Sequence, residues 1–172
     1  MGSVQGAITG RLAGETGAQR IQPMKIADIL SPDRVQLEVE ASSKKRALEI
    51  VSSLIAQASE SLSTRTVFDE LIAREKKGNT GLGHGVALPH CRMPGGTETI
   101  AAFVRTRGDI GYDAADGEPV RLIFALLVPE EATDDHLQIL ASVAEFFNDE
   151  ARRKALMTER SPEKAHALLC GT

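Results

Sequence analysis

The chain has 172 residues, with 24 acidic and 20 basic side chains, five Phe, one Tyr and no Trp. A mildly negative protein with so few aromatic residues is a poor candidate for nucleic-acid binding, which uses a basic surface and, for single strands, aromatic stacking. The longest apolar run, residues 122–128, is far shorter than the roughly 20 residues of a membrane-spanning helix. We therefore expect one cytoplasmic domain that does not insert into a membrane and that binds a protein or a small molecule.

The first 23 residues differ from the rest in composition. Residues 1–23 are rich in Gly, Ala, Thr and Gln and show no sustained period, whereas "MKIADIL" begins a new pattern at Met24. We interpret residues 1–23 as an upstream leader or a segment added for expression. The folded domain is expected over residues 24–172.

The first part of this domain predicts a short helix, a strand and two longer helices. The helix-like "MKIADIL" precedes residues 35–39, whose alternation of apolar and polar side chains predicts a half-buried strand. Ser42 or Ser43 can cap the next helix, and Ser63 or Thr64 can start the one after it. The apolar positions expected to face inward on these two helices are Ala47, Ile50, Val51, Leu54, Ile55, Ala58, Val67, Phe68, Leu71 and Ile72.

The second part predicts strands followed by helices. "TETIAAFVRT" and "VRLIFALLV" predict two strands, and the second is apolar at nearly every position, so helices should cover both of its faces. Asp116-Gly117 between them can close a hairpin, which predicts an antiparallel pair. Helices are predicted from Thr133 and from Ser161-Pro162. The predicted fold class is α/β, with a mixed β-sheet flanked by helices on both faces in a single compact domain. The buried face expected for the helix after Thr133 consists of Leu137, Leu140, Ala141, Ala144 and Phe147.

The segment "GLGHGVALPH", residues 81–90, combines alternating glycines with a rigid Pro-His end. Its glycines remove side chains where the backbone must bend or approach another segment closely. Pro89 favours an extended Leu88 and would present the His90 ring from a fixed base, which suits a reactive group. The same pattern also fits bulges in an edge strand with two ordinary surface histidines. A nucleotide-binding loop is disfavoured, because neither a G-K-[ST] ending nor the strand-then-helix context is present.

His136 is predicted in the first turn of the helix that Thr133 caps. Free backbone N–H groups and the positive end of the helix dipole favour an anion there, and they favour a neutral imidazole that donates one hydrogen bond. A solvent-facing histidine beside two acidic residues is the simpler alternative. His166 lies deep in the last predicted helix and is expected to be structural, while other polar residue types could replace His84.

A metal site is not expected. His84, His90 and His136 could serve a metal hydrolase, but metal sites usually need three or four ligands at recognisable spacing, and no HExxH motif is present. Cys91 and Cys170 lie far apart without a CxxC pair, so neither a zinc knuckle nor a disulfide framework is indicated. We expect reduced thiols and no cofactor.

One family accounts for these features together. "TGLGHGVALPH", preceded by "LIAREKKGN" and followed by "FALLVPEE" and "DDHLQILASVAEFF", resembles the enzyme IIA domain of the fructose/mannitol type in the bacterial phosphoenolpyruvate phosphotransferase system. Within this family it is most similar to the stand-alone nitrogen-regulatory branch. The resemblance extends from about Met24 to the end of the chain and is most specific at "GxGxGxAxPH".

The resemblance implies a function and three site residues. His90, which ends the motif, would accept a phosphoryl group from a phosphohistidine on an HPr-like carrier protein. Arg74, in "REK", and His136 would complete the catalytic site, with no metal or cofactor. Regulated target proteins would then distinguish the phosphorylated form from the unphosphorylated form. The alternative is a sugar-transport IIA component that relays the phosphoryl group to a separate IIB.

Two further expectations concern the neighbours of His90. Cys91 is expected to pack inward, since adjacent residues of an extended chain point to opposite sides. Leu82, Val86 and Met93 are candidates for the surface that binds a partner. Core packing is the alternative for these three, and it is favoured for Val86.

Overall fold

The computed structural model describes residues 24–172, so the predicted leader, residues 1–23, lies outside the described residues. The described part contains six α-helices and six β-strands. The helices are α1 (Ile26–Ile29), α2 (Lys44–Ala56), α3 (Thr64–Lys77), α4 (Asp134–Asn148), α5 (Glu150–Thr158) and α6 (Pro162–Cys170). The strands are β1 (Val35–Val39), β2 (Gly81–Gly83), β3 (Val86–Ala87), β4 (His90–Met93), β5 (Ile100–Ile110) and β6 (Val120–Pro129).

The six strands form one mixed sheet centred on β5 and β6. These two long strands pair antiparallel, and β1 pairs parallel with β5. The other long edge of β6 is shared by β3 and β4, which both run parallel to it, while β2 pairs antiparallel with β3. The mixed sheet predicted from the sequence is confirmed.

Helices cover both faces of this sheet. Alternate residues of β6 enter two separate hydrophobic clusters, one beneath α2 and α3 and the other beneath α1, α4, α5 and α6. Every residue from 122 to 128 is buried, as expected for a strand that is packed on both sides. Among residues 24–172, no helix is both long and apolar enough to cross a membrane.

Side-chain caps fix where the helices begin. The hydroxyl of Ser43 accepts a hydrogen bond from the Arg46 N–H at 3.1 Å, and the hydroxyl of Ser63 accepts one from the Thr66 N–H at 3.1 Å. Each cap satisfies an N–H group that the helix itself leaves without a partner. Ser43 is therefore the N-cap of α2, and Ser63 is the N-cap of α3.

The structure differs from the predicted elements at several points. The buried residues of α4 are Ile139, Val143, Phe146 and Phe147, whereas Leu137, expected to face inward, is 45% exposed. After Pro89, the chain pairs with β6 again as β4. Helix α5 was not predicted from the sequence. β5 and β6 do pair antiparallel, but residues 111–119 join them as a long connection.

Arg105 on β5 is buried and ties the sheet to α5. It is 3% exposed, and its Nη1 donates to the carbonyl oxygens of Leu156 and Glu159, both at 2.6 Å. Its Nη2 donates to Glu38 Oε1 at 2.8 Å. These contacts satisfy carbonyl groups at the C-terminal end of α5, which lack partners inside the helix.

We predict that Arg105→Met lowers the free energy of unfolding by about 2–5 kcal/mol, because it leaves buried carbonyl groups unpaired. Arg107→Met is the matched control on the same strand, since the Arg107 side chain is 62% exposed and its surface ion pairs should contribute less than about 1 kcal/mol. Urea unfolding measures both changes. Equal, small losses in the two variants would contradict the structural role of Arg105.

Candidate functional site

Residues 86–93 run beside β6 as two short strands with a break between them. At the break, the backbone of Leu88 leaves the pairing with β6, and its N–H donates to the Thr80 carbonyl at 2.9 Å. Pro89 has no N–H that could be left unpaired, and its carbonyl still accepts an N–H of β6 at 2.9 Å. His90 is therefore the first residue of β4, next to a carbonyl that is not used by the sheet.

The hydrogen bond of the His90 ring defines its reactive nitrogen. Nδ1 lies 2.8 Å from the Leu88 carbonyl oxygen. Since a carbonyl oxygen can only accept, Nδ1 carries the hydrogen, and in the neutral ring Nε2 keeps its lone pair. Nε2 has no hydrogen-bond partner among residues 24–172. The half-buried ring thus presents a nucleophilic nitrogen at the edge of the sheet.

The surroundings of His90 keep the ring neutral. Burial lowers the pKa of His90, and the nearby Arg74 guanidinium acts in the same direction. The hydrogen bond to Leu88 and the Glu75 carboxylate raise this pKa, but the net shift is downward. A lowered pKa leaves the lone pair on Nε2 available at neutral pH.

Arg74 lies in the last turn of α3, which packs against β4. Its Nη1 donates to the carbonyl of Gly78 at 2.8 Å, just beyond the helix end. Its other N–H groups have no partner among residues 24–172. The structure thus places Arg74 close enough to influence the pKa of His90, with donors available to an anion.

His136 lies in the first turn of α4, as predicted, and has the opposite tautomer to His90. The Thr133 backbone N–H donates to His136 Nδ1 at 3.0 Å, and the Thr133 hydroxyl lies 2.9 Å from the same nitrogen. Nδ1 is therefore the acceptor, and a neutral ring carries its hydrogen on Nε2. His136 presents one N–H donor, in keeping with the expectation from the sequence.

The alternation of β4 shows which face of the sheet His90 occupies. Cys91 and Met93 belong to the cluster beneath α2 and α3. His90, next to Cys91 on an extended strand, therefore points to the face covered by α4, the helix that contains His136. No hydrogen bond joins the two histidines within residues 24–172, so their joint action stays a prediction.

The glycines before His90 allow close approach and tight turning, as the sequence suggested. A Cβ on Gly81 would lie 2.8 Å from the Ala114 Cβ, so the strand could not come so near with any other residue. Gly83 has φ 88°, a conformation that favours glycine. His84 also has a positive φ, 56°, and its backbone N–H donates to Asp116 Oδ2 at 2.9 Å.

The neighbouring apolar side chains divide between core and surface. Cys91 is 4% exposed, and burial raises its pKa to about 12, so it packs inward as expected and its thiol stays protonated. Val86 and Met93 are 1% and 4% exposed. A partner-binding role for Met93 is thus wrong, and the core alternative for Val86 is confirmed. Leu82, at 40% exposed, can face a partner.

The remaining histidine contributes to packing. His166 Nε2 lies 2.7 Å from the Leu30 carbonyl oxygen, so this residue joins α6 to the segment after α1. Within residues 24–172, no group of three or more His, Cys, Asp and Glu side chains is arranged to hold a metal ion.

Sequence reasoning missed Glu75. This carboxylate follows Arg74 directly, is buried against Thr80 and raises the pKa of His90. A charged residue near the end of a helix is usually solvated, and here Tyr112, distant in sequence, covers it. The local sequence carries no signal for this burial.

The comparison with known families decides the identity of the chain. The model of the family described as "Phosphoenolpyruvate-dependent sugar phosphotransferase system, EIIA 2" matches residues 28–170. The chain belongs to this family. It is thus a IIA-type phosphotransfer component, and the match includes the break at His90, the end of α3 and the start of α4.

The relatives of this IIA domain come from both branches of the family. It is 41% identical over 145 residues to a nitrogen regulatory protein of Pseudomonas aeruginosa, covering 84% of this chain and 92% of that protein. It is 30% identical over 144 residues to a fructose-specific EIIA component of Haloferax volcanii, covering 84% and 94% respectively. Among solved structures, it matches the nitrogen regulatory protein IIA-Ntr of Neisseria meningitidis with 48% identity and a TM-score of 0.80, covering 84% of this chain and 98% of that one.

We predict that the ring of His90 is a neutral Nδ1–H tautomer with a titration midpoint below the ordinary histidine value of about 6.5. The pKa is lowered on folding, so the unfolded chain binds the proton more tightly. The stability contributed by the neutral ring is present above the unfolded pKa and is lost as the pH falls through the folded pKa. Nitrogen-15 NMR of the imidazole across a pH series measures both properties. An Nε2–H tautomer, or a midpoint above 6.5, would contradict this account of the site.

Proposed function

We propose that this IIA domain is a regulatory phosphocarrier that accepts a phosphoryl group on His90 Nε2 from a phosphohistidine of an HPr-like carrier protein in the cytoplasm. One observation carries the proposal. The Nδ1 hydrogen of His90 is held by the Leu88 carbonyl, which leaves the Nε2 lone pair without a partner at an edge strand. The nitrogen regulatory relatives favour regulation over sugar transport.

The proposed step exchanges one N–P bond for another. The Nε2 lone pair of His90 attacks phosphorus in line as the N–P bond of the donor breaks. The donor ring, which carries a hydrogen on its other nitrogen, keeps the bonding electron pair and departs as a neutral imidazole. The Nδ1 hydrogen stays on His90, whose ring becomes positively charged, and the Leu88 carbonyl stabilises this charge through the existing hydrogen bond. No metal or nucleotide is required, because the phosphoryl group is already activated on the donor histidine.

Arg74 and His136 would stabilise the transferred group. Phosphoryl transfer has a loose transition state with negative charge on three equatorial oxygens, so positioned donors supply most of the catalysis. Arg74 offers a permanent cation with N–H groups beyond the one given to Gly78. His136 offers a single Nε2–H, because Thr133 occupies its Nδ1.

Phosphorylation would regulate binding through charge. A phosphoryl group carries about two negative charges at neutral pH, which outweigh the positive charge of the phosphorylated ring, at a site where Arg74 is half-buried. The exposed side chains of Leu82 and Leu137, at 40% and 45%, offer apolar contacts to a regulated target protein. A target that buries these side chains would then bind one charge state of the site and reject the other.

We predict that His90→Ala abolishes acid-labile phosphorylation when the protein is incubated with phosphoenolpyruvate, enzyme I and the carrier. Arg74→Ala and His136→Ala should each slow labelling by roughly 10- to 1,000-fold, the scale of removing one transition-state donor. Rapid-quench measurement of labelled protein gives these rates.

His84→Asn is the matched control for the histidine substitutions. His84 is exposed in the same segment and has a positive φ that Asn tolerates, so labelling should stay close to the unmodified rate. Equal labelling of the His90→Ala protein would refute the assignment of the phosphoacceptor.

A sugar-transport role is the second candidate. The fructose-specific EIIA component of Haloferax volcanii is 30% identical to this chain over nearly its whole length. The same chemistry at His90 would then be followed by transfer to a IIB protein.

Transfer from the labelled phosphoprotein separates the two roles. We expect label to remain on this chain when sugar IIB proteins are added, and to return to the carrier when unphosphorylated carrier is added. Rapid loss of label to a sugar IIB protein would instead establish the transport role.

A further inference from the structure

Glu75 carries a buried carboxylate with a complete set of hydrogen-bond partners. Its side chain is 5% exposed, and Oε1 accepts from Lys44 Nζ at 2.7 Å and from the Thr80 N–H at 2.9 Å. Oε2 accepts from the Thr80 hydroxyl at 2.5 Å and lies 3.5 Å from the Tyr112 hydroxyl. Burial of an unpaired carboxylate is strongly unfavourable, so each of these contacts constrains the carboxylate.

A chain of hydrogen bonds leads from this carboxylate to the His90 ring. Glu75 holds the Thr80 N–H, and the Thr80 carbonyl accepts from the Leu88 N–H at 2.9 Å. The Leu88 carbonyl in turn accepts from His90 Nδ1 at 2.8 Å. The acceptor that fixes the His90 tautomer is therefore held by a residue whose own position depends on Glu75.

The other side of the carboxylate is equally constrained. The Lys44 ammonium pairs with Glu75 and also lies 4.4 Å from the centre of the Tyr112 ring. Tyr112 is completely buried, and its hydroxyl lies 3.0 Å from the Thr80 hydroxyl. The carboxylate thus sits between the start of α2 and the β5–β6 connection, and it has little freedom to move.

We propose that Glu75 is a positioning residue for phosphoryl transfer: through Thr80 and Leu88, its carboxylate holds His90 in the reactive Nδ1–H tautomer. The inference rests on the proposed function of His90. Glu75 follows Arg74 in the last turn of α3. The end of one helix therefore determines the tautomer of the attacking His90 ring and also positions the Arg74 cation that would bind the phosphoryl group.

The test combines the tautomer of His90 with the rate of transfer. Glu75→Ala and Glu75→Gln are compared by nitrogen-15 NMR of the unphosphorylated ring and by rapid-quench labelling from the phosphorylated carrier. Glu75→Ala frees Thr80, so we expect both tautomers to be populated and transfer to slow about 10- to 100-fold. Glu75→Gln keeps an oxygen for the Thr80 N–H but loses charge assistance, so we expect a smaller, detectable population of the second tautomer and a slowing of about 3- to 10-fold.

Asp69→Asn is the matched control. Asp69 lies on the same helix and pairs with Arg65 at 3.1 Å, but its side chain is 55% exposed. Its loss should leave both the tautomer and the rate unchanged. A dispersed amide spectrum verifies that each variant is folded, and if Glu75→Ala does not fold, Glu75→Gln decides by the same two measurements.

The outcomes separate this inference from the proposed function. A single Nδ1–H tautomer in folded Glu75 variants would overturn the inference, whatever the rate, and so would a mixed tautomer with a normal rate. A mixed tautomer with slow transfer would support it. If the unmodified protein is not labelled at His90, the proposed function fails, and the NMR result alone still shows whether Glu75 orients the ring.

Discussion

The hydrogen bond from His90 Nδ1 to the Leu88 carbonyl, 2.8 Å long, determines the chemistry available at this site. It fixes the ring hydrogen on one nitrogen and leaves the lone pair on the other. It exists because Leu88 and Pro89 interrupt the pairing of residues 86–93 with β6. An unbroken strand would commit the Leu88 carbonyl to the sheet, and the His90 ring could then exchange between tautomers.

Three chain segments supply the groups of the proposed site, each positioned for a different physical reason. The glycine segment approaches Ala114 too closely for a side chain at position 81. The end of α3 contributes Arg74, whose positive charge lowers the pKa of the His90 ring. The start of α4 contributes His136, whose tautomer is set by the backbone N–H of Thr133. The two histidines therefore offer complementary groups, a lone pair and an N–H donor.

Most of the fold could be predicted from hydrophobic periodicity and capping residues, but local patterns left several features undetermined. The α5 segment "EARRKALMT" buries Leu156 alone, so it has no apolar stripe to detect. The apolar residues of α4 fit two alternative faces, and contacts with the sheet favour the one containing Ile139 and Val143. His90 was predicted from its motif. Glu75 was not, because its burial depends on Tyr112, which is distant in the sequence.

The central claim is that Nε2 of residue 90 is the phosphoacceptor, and the position of phosphorus on the ring tests it most directly. Phosphorylated protein labelled with nitrogen-15 in histidine would be studied by NMR for coupling between phosphorus-31 and the two ring nitrogens. The account predicts coupling to Nε2 of His90, with the hydrogen retained on Nδ1. Phosphorus on Nδ1, or on any other residue, would contradict it.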